Sequence, residues 1–203
     1  MYAITLSDFL DYVNKAGPSK LSKVRRLKHR APYRPSFDYY RPLREAIVNA
    51  HRAGSSRPEL DAALNEALVA VDDERTQLDL SVVADAYRGW LGRKRVRWFP
   101  PPRATWASGD VSILVNPDLG LYIDGRPCVI KIWFRDEPLE KRGLDVVFRL
   151  MEEAIDELCP HGTAFCVLDV RRGRLFSPTI DVPAAGVQLH GEVAFLAATW
   201  SLT

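Results

Sequence analysis

Two residues near the middle of the chain carry charge where their surroundings are apolar. Asp118 follows Asn116-Pro117, between the alternating run at 111–115 and the apolar Leu119-Gly120-Leu121-Tyr122-Ile123. Lys131 is the only charge in Cys128-Val129-Ile130-Lys131-Ile132-Trp133-Phe134. An ammonium on a buried strand is costly unless it is paired or faces a polar cleft. Asp118 is the nearest candidate partner, and its plainer role is that of a turn residue bonding its own backbone after Asn-Pro. A third feature is cationic: Lys15, Lys20, Lys23, Arg25, Arg26, Lys28, Arg30 and Arg34 lie between Asp11 and Asp38 with no acid among them. Such a cluster can neutralise phosphates and release their counterions, with Tyr33, Tyr39 and Tyr40 available to stack bases.

The elements that must position these residues are legible from periodicity. Val111, Ile113 and Val115 alternate with Ser112 and Leu114, which predicts a strand with one face strictly buried. Proline at 117 fixes φ and lacks a donor, so it ends that strand. Asp124-Gly125 is a hairpin-turn signal, and the apolar run at 128–134 reads as a central strand covered on both faces. Before these strands the spacing is helical. Leu6, Phe9, Leu10 and Val13 form one face of a helix ending near Gly17-Pro18. Tyr39, Tyr40, Leu43, Ile47 and Ala50 form another, stopped by Gly54. Ser56 and Glu59 make a capping box, with Pro58 inside it, for a helix facing inward through Leu60, Leu64, Leu68 and Val71. Val82, Val83, Ala86 and Trp90 predict a fourth helix from Ser81 to a stop at Gly92. After the strands, Asp136 caps a helix from Pro138 carrying Val147, Leu150, Met151, Ala154, Ile155 and Leu158. Strands follow at 164–170 and 174–180 around Arg171-Arg172-Gly173, and a terminal helix carries Leu189, Val193, Leu196, Ala197 and Trp200.

Composition narrows the class. The chain has 203 residues, 47% hydrophobic and 27% charged, with a net charge of +2. That describes one domain of ordinary size able to bury a sizeable core. Three cysteines without CxxC spacing argue for a reducing compartment and against zinc. No leader and no bilayer-length apolar run is visible, so a cytoplasmic location without membrane contact is expected. The four histidines show no HxH or HxxxH pairing, and there is no GxGxxG, P-loop or GxSxG motif. Pro100-Pro101-Pro102 marks a boundary between a mainly helical part, 1–99, whose last helices pack on the core, and a strand-rich α/β core, 103–203, with a C-terminal helix. Acids concentrated at Asp72-Asp73-Glu74, Glu152-Glu153 and Asp156-Glu157 predict an electrostatically two-sided molecule.

The order of helices, three strands, a helix and a fourth strand, together with Asn116-Pro117-Asp118, the Asp124-Gly125 hairpin and Val129-Ile130-Lys131, resembles the PD-(D/E)xK nuclease superfamily over roughly residues 81–180. The resemblance implies a restriction-endonuclease-like mixed sheet flanked by helices, behind an N-terminal helical lobe. It makes Asp118 the metal-binding acid and Lys131 the catalytic lysine that positions or polarises the attacking water. Val129 stands where the family has its second acid. A hard cation such as Mg²⁺ takes oxygen ligands, commonly one or two carboxylates beside water and phosphate. A cleaving member would use Mg²⁺ or Mn²⁺ and need a substitute acid, for which Asp110, Glu140, Glu66, Glu74 and Asp85 are candidates by position. Without one, no cofactor is expected. The resulting expectation is a nucleic-acid-associated domain with a degenerate site, binding DNA or RNA through Lys20, Lys23, Arg25, Arg26, Lys28 and Arg30. An active nuclease with a migrated acid and a protein-interaction module that binds a protein partner are the alternatives.

Overall fold

The computed structural model describes residues 2–31, 38–178 and 184–202. Tyr33 and Arg34 of the cationic segment and positions 179 and 180 of the last predicted strand lie outside the described residues. In chain order the elements are β1 (Tyr2–Thr5), α1 (Leu6–Val13), α2 (Gly17–Lys28), α3 (Arg41–Ala53), α4 (Arg57–Val69), α5 (Glu74–Leu91), β2 (Val96–Trp98), β3 (Ala104–Ser108), β4 (Val111–Val115), β5 (Leu119–Ile123), β6 (Arg126–Trp133), α6 (Lys141–Ile155), β7 (Ala164–Asp169), β8 (Arg174–Phe176) and α7 (Ala184–Leu202). The fold is mixed α/β, with helices around two mixed sheets. One sheet has the order β1-β4-β3 and the other β2-β5-β6-β7-β8.

Strand β6 lies between two hydrophobic cores, because its residues alternate between them. Val129 and Trp133 join one core, with α1, α2, β4, α6 and α7. Cys128, Ile130 and Ile132 join the other, built on α3, α4 and α5. Strand β5 runs antiparallel to β6, and α6 then carries the chain over to β7, which lies parallel to β6. Helix α6 packs on β7 of one sheet and on β3 and β4 of the other. Val111, Ile113 and Val115 are fully buried while Leu114 is exposed, so the smaller sheet buries one face, as its alternation predicts. The three consecutive strands nevertheless divide: β4 pairs with β1 and β3, whereas β5 and β6 belong to the other sheet.

Several boundaries differ from those expected, each for a local reason. Gly17 has φ +51° and Pro18 occupies the first turn of α2, so this dipeptide opens a helix and does not merely close α1. Asp73 caps α5 through a 2.7 Å bond from the Thr76 N–H, which starts that helix ahead of Ser81. Its buried face is Leu80, Val83, Ala84, Tyr87, Trp90 and Leu91, and Val82 points outward. Helix α6 begins at Lys141 rather than Pro138, after Glu140, whose N–H donates to Asn14 Oδ1 at 2.7 Å. It gives way to a 3₁₀ turn at Asp156–Leu158, which leaves Leu158 exposed. The triple proline does not separate helices from sheets, because β1 and β2 precede it and pair with β4 and β5 beyond it. Phe99 crosses so close to β5 that a Cβ on Gly120 would lie 2.3 Å from its carbonyl oxygen.

In the α3–α5 core His51 is buried and shares a 2.5 Å hydrogen bond with the Tyr87 hydroxyl. Burial, with nearby Arg57 adding to it, pushes the imidazole pKa down to about 4 from 6.5. The unfolded chain therefore takes up a proton below pH 6.5 that the folded chain refuses until about pH 4. Stability should be complete above that window and fall by about 3 kcal/mol as pH descends through it. In denaturant titrations across the same range, His51→Gln should lose this component of the slope.

Candidate functional site

The hairpin of β5 and β6 brings Asp118 and Lys131 together. The Asp118 N–H donates to the Ile130 carbonyl at 2.9 Å, and its Oδ2 accepts the Ile132 N–H at 2.8 Å. The carboxylate is thus held by the backbone of β6 on either side of residue 131. Lys131 Nζ lies 3.1 Å from Asp118 Oδ2 and donates to the Asn116 carbonyl at 3.2 Å. Both side chains are nearly closed off, 5% exposed for Lys131 and 8% for Asp118. Arg44 of α3 approaches Asp118 Oδ1 at 3.9 Å, pairs with Asp38 at 2.7 Å and lies over the Phe134 ring. Sequence alone offers no signal for Arg44, which reaches the site from another element.

The donor set is a poor one for Mg²⁺ or Mn²⁺. Lys131, Arg44 and a backbone N–H already surround the one carboxylate. Val129 is fully buried in the core shared with α6, so its position offers no oxygen. Among the described residues no three His, Cys, Asp or Glu side chains converge to hold a metal ion. The substitute acids are all exposed. Asp85 pairs with Arg88, and Glu140 stands at the start of α6, tied by its backbone to Asn14. Asn116 buries its side-chain oxygen without a partner, but a neutral amide adds no charge to offset two cations.

Much of the cationic segment turns inward. Asp8 and Asp11 on α1 form a buried acidic centre, and Asp8 also closes a capping box with Thr5. Lys23 lies 2.6 Å from Asp11, Arg135 3.0 Å and Lys15 3.5 Å. Arg30 holds both oxygens of Asp8 at 2.9 Å. Burial works to raise the Asp11 pKa, and these three cations more than offset it, holding the carboxyl below its ordinary range. Lys20 pairs with Glu192 of α7 at 2.5 Å, and Lys28 donates to the Trp200 carbonyl at 3.0 Å. Of the six expected contact residues, Arg25, Arg26, Lys28 and Arg30 are exposed, and Arg25 and Arg26 form no ion pair with a described residue. A second cationic run, Arg93-Lys94-Arg95-Val96-Arg97, has four cations in five residues and leads into the edge strand β2. The same reading that found the first run could have found it.

No model of a known protein family matches this chain, and neither does any curated protein. Among the described residues no helix is long and apolar enough to cross a membrane.

The pair's asymmetry is measurable. Asp118→Ala strands a buried ammonium and should cost about 3 kcal/mol in denaturant unfolding. Lys131→Met should cost less, because Asp118 keeps the Ile132 N–H and Arg44. The double variant should be more stable than Asp118→Ala alone. A double variant no better than Asp118→Ala would contradict this account.

Proposed function

We propose that this chain is a nucleic-acid-associated domain with a restriction-endonuclease-like core whose PD-(D/E)xK site no longer cleaves. The observation that carries this reading is the buried Asp118–Lys131 pair, 3.1 Å apart on the β5–β6 hairpin. Its frame agrees with the family's arrangement: an acid at the start of one strand, a lysine on its antiparallel neighbour, and a helical crossover to a parallel strand. The pair serves structure. Lys131 is neutralised where it lies, and Asp118 spends its second oxygen on the backbone of β6. Water activation by Lys131 would require Asp118 to release it, which leaves a buried charge with only the Asn116 carbonyl.

Binding is the part of the ancestral chemistry that such a domain can retain, since phosphate neutralisation needs exposed cations and no metal. Arg25 and Arg26 are exposed at the end of α2 and free of the ion pairs that occupy Lys20, Lys23 and Arg30.

The test is binding and cleavage of labelled single- and double-stranded DNA and RNA with Mg²⁺ or Mn²⁺. The wild type, Asp118→Ala, Lys131→Ala and Arg25→Gln/Arg26→Gln would be compared. Salt-sensitive binding without cleavage is expected, weakened several-fold in the double arginine variant. Cleavage abolished by both site substitutions would establish an active enzyme. Neither cleavage nor binding would point to the protein-interaction module.

A further inference from the structure

The edge of the larger sheet carries a second concentration of charge and aromatic surface, remote in sequence from α2. Strand β2 is the terminal strand, bonded to β5 on one side only. Arg97 stands opposite Tyr122 in the ladder, with its guanidinium 4.3 Å from the ring centroid. Phe99 meets the same ring edge-on at 5.3 Å. Beside them is an open cleft of about 430 Å³, lined by Arg95, Val96, Arg97, Tyr122, Asp124 and Gly125. Arg95 and Arg97 of its lining are exposed, and so are Arg93 and Arg126, which flank the lining residues in sequence. The carboxylate in its wall is Asp124, which caps the Arg95 N–H at 3.1 Å and lies 3.9 Å from the Arg95 guanidinium.

This is more than an edge guarded against strand addition. Charge alone serves that purpose, whereas here a guanidinium is held 4.3 Å from a tyrosine ring centroid, and both side chains line the cleft. A guanidinium so held can stack a nucleobase, and the flanking arginines can reach the phosphates on either side. Bases are available for such stacking in a single strand and not in a duplex. We infer that the β2 edge is a single-stranded nucleic-acid site. Arg97 on Tyr122 forms its stacking platform, and Arg93, Arg95 and Arg126 make its phosphate contacts. The inference rests on the nucleic-acid reading above and adds to it a place and a preferred strand state.

The test is fluorescence anisotropy with labelled oligonucleotides, single-stranded and duplex, over a series of salt concentrations. The full chain would be compared with Arg95→Gln/Arg97→Gln, with Tyr122→Leu and with Arg25→Gln/Arg26→Gln. Thermal unfolding would confirm that each variant is folded. The wild type should prefer the single strand. Arg95→Gln/Arg97→Gln should bind it roughly tenfold more weakly and flatten the log–log salt slope by about 1.4. Tyr122→Leu, exposing no new charge, should weaken single-strand binding with little change in salt slope. Full affinity in folded Arg95→Gln/Arg97→Gln would overturn the inference, leaving the α2 arginines as the contact. New self-association in that variant with affinity intact would assign the arginines to edge protection instead. A wild type that binds no oligonucleotide would overturn the inference and the nucleic-acid reading together.

Discussion

A charge in the middle of a strand that is covered on both faces has to be neutralised where it lies. Lys131 sets that constraint, and much of the architecture near it can be understood as the answer. Asp118 must stand at the start of β5 to reach it, so the Asn116-Pro117 break after β4 falls where it does. The carboxylate also takes the Ile132 N–H, which binds the start of one strand to the middle of the next. Arg44 and Phe134 close the outer side, tying α3 to the sheet at the same point. A hydrophobic residue at 131 would remove the need for this arrangement, whereas a lone change at 118 would leave the need unmet.

The second organising contact is electrostatic as well. Helix α2 is short of apolar residues, with Val24 and Leu27 buried, and its cations add to that packing. Lys23 reaches Asp11, Lys20 reaches Glu192, and Lys28 reaches the Trp200 carbonyl. A basic run that looks like a surface for a polyanion is thus in large part a clamp between α1 and α7. The distinction is invisible in composition, because a cation reads the same whether its partner is a phosphate or an internal carboxylate. The acids that answer this run, Asp8, Asp11, Glu137 and Glu192, lie outside it, two of them more than a hundred residues away.

Legibility followed the range of the interaction. Helices closed by local chemistry could be read closely: Gly54 is left-handed at the end of α3, and the Ser56–Glu59 box opens α4. The β5–β6 hairpin was legible for the same reason, its turn residues being adjacent. Strands β1 and β2 were not anticipated, because each is short and owes its form to a partner elsewhere. Strand β3 was also missed, although it pairs with β4 across the turn at Gly109-Asp110. The start of α6 was misplaced for a related reason, since Asn14, far off in sequence, takes the Glu140 N–H just ahead of that helix. At the site, both members of the ion pair were readable from type and position. Arg44, which limits what the pair can do, was not.

On the proposed reading, these two outcomes bear on how a degenerate site would persist. With Val129 in a core shared with α6, an acid at 129 would place a carboxylate among buried apolar side chains, at a cost of several kcal/mol. The packing that makes Val129 favourable therefore opposes a second carboxylate at this position. Asp118 and Lys131 face no such opposition, because each is needed by the other. Selection for stability alone is enough to keep the two, while nothing in the fold keeps the third. If the chain is a degenerate PD-(D/E)xK domain, as proposed, a motif reduced to its mutually dependent residues is what that asymmetry would leave behind. On the proposed reading, the surfaces open to a polyanion are those whose arginines stay exposed, the end of α2 and the edge of β2.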